Sequence, residues 1–513
     1  MTEEDPGAWL LPYWLSRYHG LIGPPSSTAA KFDDDMSSGG IDSSDSVVTK
    51  SESDDDTGHT ISVADYGAIA DSEADACLAF NRSIEALRAS NASDLRIPRG
   101  TYHLHWHSCP HSLMYVSNTV VTPLPAKPIG LWLRGLRDVV VEGEGSLLLM
   151  HGLMTPLCVD HSHNISIRNV EVDFPHPSIV EALVTDVSPD GKSLDIRVHA
   201  ANNVTVTDGK AVFGSFGEGW TLDGVKGLSP VSQSDHRADT LCQQFDPASD
   251  ITWRRSNPFN GATVQVLPGD GQSLRLKYKR RQVTHAVGAT AHPAGLPVAG
   301  NHLWWRDGGR PNAGVLTQYS SAVVYQNVAM RFQQGFCTVS QFTEGISFIN
   351  VSSETAAGSG RFCSCSADLL HFSGCSGQIN VTGGRFVGSQ DDGVNVHGTH
   401  LQIVAQPSPT KIIVQFMQHE SYGFQAFFPG DLVQFTRADS LESFGTGSVR
   451  SVEMLSATGC VASPNSSLLI SVLAAKTPTL IPLLNLLEIS NLNPESPARN
   501  FPPCNKVVTW YCG

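Results

Sequence analysis

Positive charge is scarce in this chain. Its 34 lysines and arginines face 49 aspartates and glutamates, leaving a formal net charge of −15 over 513 residues. Nucleic-acid backbones are held by basic patches, so a nucleic-acid partner is excluded. The one basic cluster, "KYKRRQ" at 277–282, is short and alternates with apolar residues, as one basic face of a hairpin does. Long apolar runs are missing too. Spanning a bilayer takes roughly 18–20 such residues, and no stretch approaches that, so no membrane insertion is expected. "AWLLPYWL" near the start contains Pro12 and follows Glu3, Glu4 and Asp5. A secretory leader wants a basic start and a longer apolar core. His371 and His397 could ligate a metal, but no close His or Cys spacing supports zinc for them, and the expectation is no metal and no cofactor. Oligomeric state leaves no mark on the sequence.

Cysteine, by contrast, is plentiful. Eleven are many for a reducing compartment. Seven Asn-X-Ser/Thr sequons, at Asn81, Asn91, Asn164, Asn203, Asn350, Asn380 and Asn465, are compatible with a secretory route. A secreted or luminal protein is expected.

Composition divides the chain. Residues 1–60 end in an acidic, Ser- and Gly-rich stretch ("SSTAAKFDDDMSSGGIDSSDSVVTKSESDDDTGHT") that cannot bury enough apolar surface to offset ordering entropy. A disordered leader is expected there. From "ISVADYGAIADSEADACLAFNRSIEALRAS" onward, a short alternating strand leads into an amphipathic helix over 74–89, with Ala76, Leu78, Ala79, Ile84 and Leu87 toward one side.

Repetition follows. "DVVVEGEGSLLL" (138–149), "NISIRNVEVDF" (164–174), "AVVYQNVAMRF" (322–332), "GISFINVSSET" (345–355) and "GQINVTGGRFVG" (377–388) each hold a short apolar strand, an Asn or Gly, and a second short strand. The turn residues align as Gly143, Asn169, Asn327, Asn350 and Gly383. Short strands repeating without crossover helices predict a parallel β-helix, each coil burying its inner face against its neighbours. An inward Asn at the turn would hydrogen-bond its equivalent one coil on. The grammar breaks twice, at 180–312 and 401–488, where Pro, Gly and Asp separate alternating strands in hairpin style. The expected fold is therefore all-β: a right-handed parallel β-helix over 61–179 and 313–400, with antiparallel β-barrels inserted at 180–312 and 401–488 and a tail at 489–513.

The chemistry concentrates in "FVGSQDDGVNVHGTHLQIV" (386–404), where Asp391 and Asp392 stand side by side with no Lys or Arg. Strands of adjacent coils lie about 4.8 Å apart. Asp368 precedes Asp391 by the same step that separates Asn327 from Asn350, one coil of the repeat. Asp368 is thus expected beneath or beside Asp391, with Asp392 immediately after. Like charges so close raise at least one pKa, leaving an acid beside ionised neighbours, which is what glycosidic cleavage needs. Inverting glycosidases hold acid and base roughly 6.5–9.5 Å apart, leaving room for a water. On an ideal strand adjacent side chains point to opposite faces, so the backbone must turn, and Gly393 is placed for it.

Bland readings compete. Asp-Asp-Gly alone is most often a solvated turn, and sometimes a Ca²⁺ loop; the third carboxylate and the strand context tip the balance toward chemistry. His371, Asn395 and His397 read as ligands of substrate hydroxyls, the histidines alternatively as satisfied core residues. Cys363, Cys365 and Cys375 read as packing or a disulfide before a metal knot, and Trp304 and Trp305 as sugar platforms or core.

The residues also carry a resemblance. "ISVADYGAIADSEADACLAFNRSIEAL" resembles the entry to the pectate-lyase-like right-handed β-helix superfamily. "SADLLHFSGCSGQINVTGGRFVGSQDDGVNVHGTHLQI", "NVEVDFPHPSIVEALV" and "FFPGDLVQF" resemble glycoside hydrolase family 110, the α-1,3-galactosidases, across roughly 60–490. The resemblance implies an inverting exo-hydrolase of terminal α-1,3-linked galactose, acting on an oligosaccharide or glycan without metal or cofactor. It implies Asp391 as general acid, and Asp368 and Asp392 as the pair that holds and deprotonates water. Gly393 and Val394 depart from the small and polar residues expected there, and family members continue with further coils beyond "NKVVTWYCG", so the tail reads as truncated. Two other functions fit less well. A polygalacturonase-like hydrolase wants basic subsites near the pair, where Arg385 is the nearest preceding basic residue. A non-catalytic glycan-binding β-helix would be indifferent to Asp391→Asn.

Overall fold

A computed structural model describes Thr60 to Leu492, apart from residues 91, 120–125, 219, 224–226, 230–240, 256, 281–296, 307–309, 311, 419, 456–466 and 475–486. The expected leader, up to residue 59, and the tail beyond 492 lie outside the described residues.

Two long sheets form the body. One runs Thr60–Ser62, Asp94–Arg96, Arg137–His151, His163–Asp173, Ser321–Met330, Glu344–Ile349, Ser376–Thr382. The other runs Ala126–Arg134, Thr155–Asp160, Asn312–Gln318, Gly335–Gln341, Leu370–Ser373, Val394–His397. Neighbours in both are parallel, and the chain alternates between the sheets, which is a parallel β-helix. Alternation sets the inner face. In Ser321–Met330, Val323, Tyr325, Val328 and Met330 are buried while the residues between them are not. Inner residues stack coil on coil: Tyr325 pairs in register with Phe348, their rings 5.2 Å apart.

The coil length varies. Leu131 pairs with Leu157, a step of 26; Asn312 with Gly335, a step of 23; Thr338 with Leu370, 32; and Leu370 with Val394, 24. Val315 pairs with Leu157, many coil lengths earlier in the chain, so the helix closes over an excursion as though it were absent. That excursion builds a seven-stranded antiparallel sheet, from Val180–Val187 to His302–Arg306, and a four-stranded one. Their shared core includes Phe213, Leu276 and Trp305. The second excursion, His400 to Leu492, closes into a six-stranded barrel.

The asparagine turns are real but face outward. Asn169, Asn327 and Asn350 all adopt left-handed backbone, φ 59°, 53° and 51°, which Asn tolerates better than most residues. Asn327 Nδ2 donates to Asn169 Oδ1 at 2.9 Å, and Asn350 Nδ2 to Asn327 Oδ1 at 3.3 Å, along the exposed edge. At one end Asn169 Nδ2 donates to Glu142. Gly143 is not the matching turn; the left-handed residues there are Glu144 and Gly145.

The helix also differs from expectation. It spans Cys77–Ala89, because Ser72–Asp75 pairs as a strand with Thr101–His105. Leu78 is exposed, and Cys77, Phe80 and Ser83 join Ala79, Ile84 and Leu87 on the buried face. A Cys77–Cys109 disulfide ties this cap to the first coils.

Candidate active site

The acidic trio lies on the loops that lead into the last two strands of the second sheet. Asp368 precedes Leu370–Ser373, and Asp391 and Asp392 precede Val394–His397. The true register is one longer than the asparagine step: Leu370 faces Val394, and the Leu369 N–H donates to the Asp392 carbonyl at 2.9 Å. Asp392, rather than Asp391, is therefore the coil-to-coil neighbour of Asp368. The pair sits in a bend before the strand, which frees both side chains from alternation. Gly393 is not what permits it: a Cβ there would meet nothing within 4 Å. The required glycine is Gly388, at φ +83°, where a Cβ would lie 2.4 Å from the Phe362 carbonyl oxygen.

One oxygen from each of Asp368, Asp391 and Asp392 lies within 4.8 Å of the others. Asp368 is buried and the other two are exposed. Burial, then the charges of Asp368 and Asp391, push the Asp392 carboxyl above the ordinary carboxylate range; His371 and the Asn395 amide, 3.3 Å away, oppose this. Three such oxygens could hold a hard cation. Here one carboxylate is already engaged by an imidazole and another by a guanidinium.

The imidazole is His371. Its Nδ1 lies 2.7 Å from Asp368 Oδ2 and its Nε2 lies 2.9 Å from His397 Nε2. The order of protons follows from the far end. His397 Nδ1 faces the Gly398 carbonyl at 2.8 Å, so it carries hydrogen. Burial and His371 hold His397 down to about 4, so at neutral pH its Nε2 is a lone pair. His371 Nε2 must then donate, and one proton sits between His371 Nδ1 and Asp368. His371 is fully buried and has no surface to offer a sugar, which removes it from the substrate-contacting set. His397 spends both nitrogens inside the chain. Asn395 is half-buried beside Asp392.

The guanidinium was not legible in sequence. Arg310, several coil lengths upstream of Asp391, places Nη1 3.6 Å from Asp391 Oδ2 and also pairs with Glu420 of the second excursion. Its charge lies over the Phe336 ring, 5.1 Å from the centroid. The expectation of a pair without basic neighbours is thus overturned, because the first excursion returns the chain to the helix beside the site. Arg306 and Gln243, on strands of that excursion, hold Gln390 immediately before the pair, at 2.7 Å and 3.4 Å. Trp304 and Trp305, on the same strand as Arg306, are buried in the helix core and the excursion core respectively, so neither is a sugar platform. Cys363, Cys365 and Cys375 are free thiols; the first two are fully buried, and a disulfide among them is ruled out.

Residues 411–461 match the family description GLAA-B beta-barrel domain II. An alpha-1,3-galactosidase A of Bacteroides fragilis is 30% identical over 401 residues, 77% of this chain and 61% of that protein. Its namesake in Peterkaempfera griseoplana is 30% identical over 79% of this chain and 54% of its own length. An alpha-1,3-galactosidase B of Bacteroides thetaiotaomicron is 27% identical over 77% and 60%. The chain spans about three fifths of the length of the curated relatives it matches. Among solved structures, the A-module of the Azotobacter vinelandii mannuronan C-5 epimerase AlgE4 is 10% identical, covers 66% of this chain and 76% of that one, and gives a TM-score of 0.20; strand pairing alone establishes the fold. Built on a parallel β-helix with inserted β domains, the chain is similar to the α-1,3-galactosidases A and B over about three quarters of its own length.

Proposed function

We propose that this chain is a glycoside hydrolase that releases terminal α-1,3-linked galactose from oligosaccharides or glycoconjugates with inversion. The observation that carries the reading is the convergence of three carboxyls from two adjacent coils. By the family resemblance, Asp391 protonates the departing oxygen. Asp392 and Asp368 hold the attacking water. The upward push on Asp392 makes its ionised form the stronger base. Asn395 aims Asp392, and His371 fixes Asp368 with its shared proton. The Cys77–Cys109 bridge supports a secreted or luminal location.

One observation favours a second stereochemistry. The oxygens within 4.8 Å of one another stand closer than the roughly 6.5–9.5 Å of inverting pairs and nearer the roughly 5–5.5 Å of retaining ones. Inversion therefore requires Asp391 or Asp392, both exposed, to swing aside and admit a water. A substrate panel tests the function. Galactose released from Galα1-3Gal, and lost in Asp391→Asn, is the expected result. Clean sugar binding without release from any α-galactoside would instead identify a glycan-binding protein, and release of galacturonic acid a polygalacturonase-like hydrolase.

A further inference from the structure

A second cluster of ring nitrogens lies on the other sheet. The strand Thr101–His105 carries His103 and His105 two apart, so alternation sets both on one face. Beside it, Arg137–His151 ends with His151 in register with His105. The His151 ring stacks on both, 4.1 Å from His105 and 5.0 Å from His103 between centroids. One ring nitrogen from each of the three lies within 4.8 Å of the others.

The outer nitrogens fix the inner ones. His151 Nδ1 lies 2.6 Å from Glu218 Oε1, and Glu218 Oε2 accepts the Gly152 N–H at 3.0 Å, which locks that carboxylate in place. His103 Nε2 faces Glu73 at 3.6 Å. Glu218 draws hydrogen to His151 Nδ1, leaving a lone pair on His151 Nε2, which lies 2.8 Å from His103 Nδ1. That lone pair is met either by a proton on His103 Nδ1 or by a metal ion held between the rings.

We propose that His103, His105 and His151 form a site for a divalent transition-metal ion of the zinc class, with Glu218 orienting His151. Three imidazoles suit zinc, copper or nickel and disfavour calcium and magnesium, which want oxygen. A tetrahedral ion at about 2.0–2.1 Å from each nitrogen needs them about 3.3 Å apart with lone pairs converging, so the parallel His105 and His151 rings must tilt out of their stack, and the fourth position is left to water. The three rings are half-buried, so an ion can enter from solvent. Because Glu218 belongs to the first excursion, the ion would pin that excursion to the helix.

The test is metal titration of the full chain after chelator treatment. Zn²⁺ followed by calorimetry should bind one to one, and Co²⁺ should develop the visible bands of a tetrahedral nitrogen site. His103→Ala/His151→Ala should lose both signals, Glu218→Gln should weaken Zn²⁺ binding about 10–100-fold, and Zn²⁺ should raise the melting temperature of the unsubstituted chain. Absence of saturable binding by the unsubstituted chain at about 100-fold excess Zn²⁺ overturns the proposal without recourse to any variant. Equal binding by the double variant, shown by circular dichroism to be folded, overturns it too.

Discussion

Replacing His371 by leucine isolates the contact on which the acidic cluster depends. His371 and Asp368 are 0% and 2% exposed and share a proton across 2.7 Å. Leucine fills much of the ring's volume but leaves the Asp368 carboxyl buried without its partner. Breaking a buried pair from one side costs about 3–5 kcal/mol. Asp368→Asn alone costs less, about 1 kcal/mol, because the amide can still donate to His371 Nδ1. In the double variant the buried group is a neutral amide beside an apolar chain, so the charge penalty is absent. The coupling between the two positions should then be about 2 kcal/mol, within the range seen for residues that share a hydrogen-bond network. Urea unfolding of the four proteins, read from the transition midpoint at constant slope, measures it. If the two single effects add to within about 0.5 kcal/mol, the shared-proton account of Asp368 is wrong.

Other outcomes follow from the same geometry. Asn327→Ala removes two ladder bonds and puts a β-carbon with no local hydrogen bond at φ 53°; it should cost about 1–2 kcal/mol in urea unfolding, and Asn327→Gly less. Glu181, buried and pushed up to about 7 mainly by desolvation, binds its proton more tightly folded than unfolded. Its contribution is complete below about pH 4.5 and is lost as pH rises through 7, by about 3 kcal/mol; Glu181→Gln should flatten the fall in stability across that window. Asp392 must be ionised to act as base, so the acid limb of kcat/KM should lie above the ordinary carboxylate range of about 4, and should disappear with the residual activity of Asp392→Asn. Arg310→Met should lower kcat/KM at least about 10-fold, with the melting temperature measured alongside to show that the fold persists.

The sequence carried the helix because its rule is local. A buried residue at every second position and an Asn at each turn are visible without knowing which coils touch. Register was less visible, since successive coils differ in length and no residue marks the change. The carboxylate trio survived that error because a slip of a single position still leaves Asp368 beside the pair; the identity of its direct neighbour did not survive. Arg310 was invisible for a different reason. It reaches Asp391 through an excursion that begins near Val180 and ends at Arg306, and only the closure of the helix over that segment brings it home. His371 was visible as a polar residue in a strand, but its role turns on burial, which alternation cannot assign in a sheet covered on both faces.

Time-resolved proton NMR of Galα1-3Gal hydrolysis tests the central claim most directly. Run with the unsubstituted chain and with Asp368→Asn, Asp391→Asn and Asp392→Asn separately, it should show β-galactose appearing first and each variant slowed at least about 10³-fold, as expected where one carboxyl serves as acid or base. First appearance of the α-anomer would contradict the assigned water, and undiminished turnover in any of the three would contradict the shared site.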